Sequence, residues 1–316
     1  MFWNIPILIL GLVALTFGAE GLVRGSASLA IRLGLTPLII GLTIVAFGTS
    51  TPELVVSLGA SLNNQADISI GNVVGSNIFN IGIILGLTAL LCPVKVSLQV
   101  IKHDCPIMIA VSLFALFLIT EGTISRLAGI VLFTALVAYT GFTIWLAKKE
   151  GSAEIERQFQ DGVPSQSKSL YIDLIFIVGG LLLLVAGSRL LVVSATEIAR
   201  FIGISEAVIA LTIIAAGTSM PELATSLVAA LRHQPDIAVG NVVGSNIFNI
   251  LGILGVSSIA KPLSATEITG LDLWVMVAFA IALLPMMYTE LKLQRWEGGL
   301  LLVGYVVYLW VLWPSS

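Results

Sequence analysis

One 33-residue block occurs twice in this chain, and nothing else in the sequence constrains the fold as strongly. It reads GTSTPELVVSLGASLNNQADISIGNVVGSNIFN at 48–80 and GTSMPELATSLVAALRHQPDIAVGNVVGSNIFN at 217–249, without a gap, at an offset of 169 residues. The copies agree at 23 of 33 positions, so the chain reads as two related halves. Each copy carries one glutamate directly after a proline, Glu53 after Pro52 and Glu222 after Pro221, inside an otherwise apolar segment. A carboxylate is costly in such a place unless something positively charged reaches it.

The surroundings are those of a bilayer. The 316 residues are 57% hydrophobic and only 10% charged, with a mean hydropathy of +1.05; a soluble domain carries about 25% charged residues. Apolar runs lie near 4–24, 35–62, 68–91, 104–121 and 125–147, then near 170–195, 204–231, 237–260, 271–289 and 297–313. The expected fold class is an all-α integral membrane protein of ten transmembrane helices, with broken helices at the motif glutamates. The polar stretch 148–169 divides it into a first five-helix repeat at 1–147 and a second at 170–316. The block falls on spans two and three and again on seven and eight. Five spans is an odd number, so the second repeat is expected to be inverted.

Eleven Lys and Arg residues fall in loops on one side (24, 32, 95, 102, 148, 149, 157, 168, 232, 292, 295) and three on the other (126, 200, 261), with Arg189 inside span six. The positive-inside rule puts the 148–169 linker in the cytoplasm and both termini outside, in the cell (inner) membrane. The apolar N-terminus lacks a basic leader and has a counterpart at 172–193, so it reads as a retained span. Cys92 and Cys105 lack metal-type spacing and read as free thiols.

The block has the means to hold a cation. Pro52 donates no N–H, so the carbonyl of Gly48 loses its helical partner, and Gly48 weakens the same turn. Pro221 and Gly217 repeat the break. Freed carbonyls in lipid must line a polar cavity, and hard cations take carbonyl, hydroxyl and carboxylate oxygens. Thr49, Ser50 and Glu53 supply these in one copy, and Thr218, Ser219 and Glu222 in the other; Thr51 becomes Met220 and drops out as a ligand. On the following spans Asn72, Ser76 and Asn80 share a helix face, as do Asn241, Ser245 and Asn249. Gly71 with Gly75, and Gly240 with Gly244, allow a neighbouring helix to approach.

Other charges carry less. Glu20 and Arg189 occupy equivalent positions of spans one and six; they either pair across the repeat axis or each reach an interface. Asp67 and Asp236 read as helix N-caps, with ion access as an alternative. His103 and His233 read as interface residues, and Trp3, Trp296, Trp310 and Trp313 as interfacial anchors.

The twin GTSxPE and GNxxGSNIFN motifs, one pair per half, resemble those of the sodium/calcium exchanger family of the calcium/cation antiporter superfamily. The likeness implies Ca²⁺ bound between Glu53 and Glu222 with the backbone oxygens of Thr49 and Thr218. It implies one Na⁺ site from the Ala46 carbonyl, Thr49, Ser50, Ser76 and a glutamate. Its mirror draws on the Ala215 carbonyl, Thr218, Ser219, Ser245 and a glutamate, with Asn80 and Asn249 at the central level. Spans one and six are implied to be the sliding gate. Some family members have aspartate where this chain has Asn249, so only two strong carboxylates remain here. One Ca²⁺ or two Na⁺ neutralise them, whereas a third Na⁺ leaves desolvated excess charge.

The sequence thus points to a secondary antiporter exchanging Na⁺ for Ca²⁺ by alternating access. The alternatives are a Ca²⁺/H⁺ antiporter, K⁺ co-transport and, in another class, a passive cation channel. The ions are substrates; no cofactor, nucleic-acid partner or protein partner is implied, and no enzyme constellation is present.

Overall fold

The computed structural model of the chain describes residues 4–150, 167–203, 215–264 and 268–312. Apolar sequence becomes helix almost throughout, because a backbone in lipid must satisfy its hydrogen bonds internally. The helices are α1 (Asn4–Leu33), α2 (Pro37–Thr49), α3 (Thr51–Leu62), α4 (Ala66–Leu91), α5 (Val100–Thr120) and α6 (Arg126–Leu146). They continue with α7 (Leu170–Phe201), α8 (Met220–Leu231), α9 (Pro235–Ala260), α10 (Gly270–Leu291) and α11 (Arg295–Leu312). Among the described residues, eight helices are long and apolar enough to cross a membrane, or nine if the bent pair α2 and α3 is one span. The span expected at 204–231 is described only from 215, where the short helix Ala215–Gly217 precedes α8. Its first part, most of the 148–169 linker, Trp3 and Trp313 lie outside the described residues.

Two helices form the core. The most apolar windows of α4 and α9 are 78% and 83% buried, against 17–33% for the other spanning helices. Both carry the GNVVGSNIFN half of the repeated block, so the polar motif sits in the middle while the outer helices turn leucines, valines and phenylalanines outward. Both also loosen into a π-helical stretch at matching places, Asn80–Leu85 and Asn249–Leu254. Gly240 and Gly244 let α9 close on α2: a Cβ on Gly240 would lie 2.9 Å from the Leu38 carbonyl, and one on Gly244 would lie 2.6 Å from that of Leu42.

Helices α1 and α7 are longer than their apolar runs, at 30 and 32 residues. At 1.5 Å per residue each is about 45 Å long, more than the ~30 Å hydrocarbon core, so both are long enough to span it with some tilt. They pack antiparallel along a glycine seam. A Cβ on Gly18 would lie 2.9 Å from the Gly180 carbonyl, and one on Gly187 would lie 2.9 Å from that of Gly11. At the end nearest the linker, Arg32 Nε meets Asp173 Oδ2 at 2.8 Å.

Some features were not expected from the sequence. Two antiparallel ladders of two residues each join the halves: β1 (Val94–Lys95) pairs with β4 (Lys292–Leu293), and β2 (Thr123–Ile124) pairs with β3 (Leu263–Ser264). Strands this short leave no periodicity to read. Asp67 and Asp236 are not N-caps: Gln65 and Gln234 occupy the cap positions, and the aspartates lie in the first turn, where the helix dipole favours an anion. Cys92 and Cys105 are free.

The seam predicts a contrast between adjacent glycines. A Cβ at Gly180 meets the backbone of Gly18 and Leu22 at 2.7 Å, whereas one at Gly179 meets nothing within 4 Å. Gly180→Leu is expected to cost about 1–3 kcal/mol through overpacking, read as a lower unfolding midpoint in detergent. Gly179→Ala is expected to leave that midpoint unchanged or raise it.

Candidate functional site

The site is assembled from two helix breaks. Ser50 (φ −81°, ψ 9°) interrupts the helix between α2 and α3, which bend by 47°. Ser219 (φ −88°, ψ 8°) stands at the equivalent point before α8. Pro52 and Pro221 then fall in the first turns of α3 and α8, where a missing N–H costs nothing. Glu53 and Glu222 lie in the same first turns. Unpaired backbone N–H groups and the positive end of the helix dipole favour a carboxylate there. Neighbours pack tightly on the breaks: a Cβ on Gly48 would sit 2.7 Å from Leu181, one on Gly217 would run into Val192, and Ser188 Oγ donates to the Gly217 carbonyl at 2.5 Å.

Glu53 and Glu222 are each 1% exposed. Each is held by the other half: Ser219 Oγ donates to Glu53 Oε1 at 3.0 Å, and Ser50 Oγ donates to Glu222 Oε1 at 2.8 Å. The second oxygen of each carboxylate is buried with no hydrogen-bond partner. Asn80 Oδ1, Asn249 Oδ1 and Thr218 Oγ1 are in the same condition. Buried acceptors are almost always satisfied, and here unpaired oxygens of both glutamates, Asn80 and Asn249 belong to the same repeated motif.

The structure also redistributes the two oxygen sets. Ser76 Oγ lies 3.5 Å from Ser219 Oγ, and Ser245 Oγ lies 3.5 Å from the Ala46 carbonyl. Ser76 of the first half therefore stands with the second half's break, and Ser245 of the second half with Ala46 of the first, the reverse of the expected grouping. The reason is packing: α9 closes on α2 through Gly240 and Gly244 and carries Ser245 with it. Thr49 Oγ1 is 3.0 Å from Asn241 Oδ1 and 3.3 Å from the Ala46 carbonyl. Ala215 is described as helical backbone at the start of the second break. Thr51 is exposed, and its hydroxyl donates to the Phe47 carbonyl at 3.1 Å.

Asparagines make the frame. Asn72 Nδ2 reaches Ser57 Oγ (2.8 Å) and the Glu53 carbonyl (3.2 Å), and Asn241 Nδ2 reaches Ser226 Oγ (2.9 Å) and the Glu222 carbonyl (3.3 Å). Each thereby ties a glutamate's turn to the next helix. Asn80 Nδ2 donates to Asn246 Oδ1 (2.9 Å) and Asn249 Nδ2 to Asn77 Oδ1 (3.0 Å). Asn77 and Asn246 exchange bonds with each other's backbone carbonyls at 3.2 and 3.4 Å. The sequence reading missed Asn77 and Asn246; the signal was present, since both copies keep this asparagine on an apolar helix. Glu20 and Arg189 do not pair; Glu20 meets Arg232 at 2.8 Å. Among the described residues no three His, Cys, Asp or Glu side chains cluster as a metal centre.

Broken helices around a buried, oxygen-lined centre define an all-α membrane protein of the transporter type. The chain belongs to the sodium/calcium exchanger protein family, whose model matches residues 3–145 and 172–313. It is 40% identical over 317 residues to the putative antiporter CaxA of Alkalimonas amylolytica, covering 97% of this chain and 98% of that protein. It is 35% identical over 347 residues to the sodium/calcium exchanger MaX1 of Methanosarcina acetivorans, covering 98% of each. A solved structure of the sodium-calcium exchanger NCX_Mj, soaked with zero Na⁺ and Ca²⁺, superposes with a TM-score of 0.83 at 33% identity over 98% of each chain.

Asn77→Leu removes the acceptor of Asn249 Nδ2 and the donor to the Asn246 carbonyl. It is expected to cost about 1–2 kcal/mol. Thr51→Val is expected to stay within about 0.5 kcal/mol. Thermal unfolding of the two variants in detergent checks the difference.

Proposed function

We propose that the chain is a secondary active antiporter that exchanges Na⁺ for Ca²⁺ across the membrane by alternating access. One observation carries the reading: two fully buried glutamates, one per half, each with one oxygen held by a serine of the opposite half and the other oxygen unpartnered. Ca²⁺ takes oxygen ligands, carboxylates and carbonyls among them. It binds between Glu53 and Glu222 with the backbone oxygens of Thr49 and Thr218. Na⁺ uses overlapping oxygens, those of Ala46, Thr49, Ser50 and Ser245 on one side and of Ala215, Thr218, Ser219 and Ser76 on the other. Asn80, Asn249 and the glutamates lie between the two sets. Competition for shared oxygens makes the two cargoes mutually exclusive. Without cargo the two buried carboxylates are uncompensated, which opposes crossing of the empty site and favours exchange over leak.

The architecture proposed for this cycle is ten spanning helices in two inverted five-helix repeats, 1–147 and 170–316, joined by the 148–169 linker. The antiparallel seam of α1 and α7 and the odd number of spans between the block's copies support it. In this reading both termini lie outside the cell membrane and the linker lies in the cytoplasm, with α1 and α7 as the moving gate.

Glu53→Gln and Glu222→Gln are each expected to abolish Na⁺-driven ⁴⁵Ca²⁺ uptake into proteoliposomes while the protein remains folded; full uptake by either variant refutes the assignment. In the same vesicles, imposed Na⁺, H⁺ and K⁺ gradients are applied separately. Uptake is expected with Na⁺ and not with a pH gradient alone. A clamped membrane potential then reads the ion ratio: a cycle moving one net charge gains about 2.3 kcal/mol per 100 mV, and an electroneutral two-for-one cycle gains none.

A further inference from the structure

Arg189 lies within the apolar helix α7, where an ionisable side chain is costly and usually functional. Its side chain is exposed, and it joins none of the ion pairs among the described residues. It lines a cavity of about 290 Å³ between α3 and α7. The other walls are largely valine, including Val55, Val56 and Val192, and the cavity also touches Pro52 and Thr218. Pro52 precedes Glu53, and Thr218 precedes the serine that holds it. The cavity therefore abuts the oxygen cluster, and among the described residues Arg189 is the only charged one lining it. Glu20, the residue at the equivalent position of α1, is neutralised by Arg232 at 2.8 Å. The two equivalent positions thus differ: Glu20 is ion-paired, and Arg189 joins no ion pair among the described residues.

We propose that Arg189 is a specificity-determining residue for the exchange, weighting the approach reached along α3 against divalent cations. This rests on the exchange reading above. Low-dielectric walls focus the field of a fixed charge into a cleft instead of screening it. The local concentration of an ion falls by a Boltzmann factor whose exponent is proportional to its valence. The penalty on Ca²⁺ is therefore the square of the penalty on Na⁺. Ca²⁺ saturates the site at a higher concentration from this face than from the opposite one, while Na⁺ is affected far less. The equilibrium of the exchange stays with the ion gradients; what changes is the concentration at which each face fills, which favours Ca²⁺ release on the Arg189 side.

The test uses the full-length protein in proteoliposomes of known orientation, with half-saturating Ca²⁺ and Na⁺ measured separately at each face. Arg189→Gln is expected to lower half-saturating Na⁺ at the α3 face by about threefold and half-saturating Ca²⁺ by about tenfold. Values at the other face should be unchanged, and the gain should shrink as inert salt is raised. Arg189→Lys, which keeps the charge, should behave as wild type. Arg189→Met provides a second neutral variant if the glutamine protein does not fold. Equal factors for the two ions, equal changes at both faces, or no change in either neutral variant overturn the proposal. If wild-type protein exchanges Na⁺ for Ca²⁺ and the neutral variants are unaltered, this inference alone fails. If wild type carries no Ca²⁺ at all, the exchange reading fails and takes this inference with it.

Discussion

Everything central in this molecule is arranged around two carboxylates that have been taken out of water. Burying an ionised carboxylate costs several kcal/mol even after relaxation, and here two face one another across the same centre. The chain offsets part of that cost with the first turn of a broken helix, a dipole end and a serine hydroxyl for each. It leaves the other part unpaid: the second oxygen of each glutamate has no partner.

The serines come from the wrong half, and that has consequences for the whole fold. Ser50 serves Glu222 and Ser219 serves Glu53, so neither repeat contains a supported glutamate of its own. The same exchange governs the asparagine frame, where Asn80 reaches Asn246 and Asn249 reaches Asn77. It governs the outer loops too, where each short ladder takes one strand from each half. The glycine seam of α1 and α7 and the closure of α9 on α2 bring backbones close enough for these contacts to form. Removing one cross-half partner therefore strands a buried polar group in the other half, where neither water nor lipid can replace it.

Much of the candidate site was legible beforehand, because its elements are repeated and chemically out of place. The Gly-Thr-Ser-x-Pro-Glu break reads as a break in both copies, and Thr51, which the second copy lacks, gives its hydroxyl to the Phe47 carbonyl. Pairings were harder to see. Ser76 and Ser245 were recognisable as polar residues of the right helices, but their partners depend on which helix closes on which. Asn77 and Asn246 lie off the Asn72–Ser76–Asn80 face, so helical spacing does not select them, although they point across the centre toward each other's helices. The two-residue strands and the π-helical stretches at Asn80 and Asn249 leave no periodic trace in a sequence.

By itself the sequence determined that this chain lives in a membrane, that it consists of two related halves, and that each half breaks a helix beside one glutamate. Those follow from composition, self-similarity and the missing N–H of proline, all of which are local properties. Only the tertiary structure decided that each glutamate is held by a serine of the opposite half, that Glu20 pairs with Arg232 rather than Arg189, and that Arg189 lines the cavity beside the centre. Such facts depend on which backbones can approach one another, and close approach is settled by the packing of distant segments, not by the residues on either side of a motif.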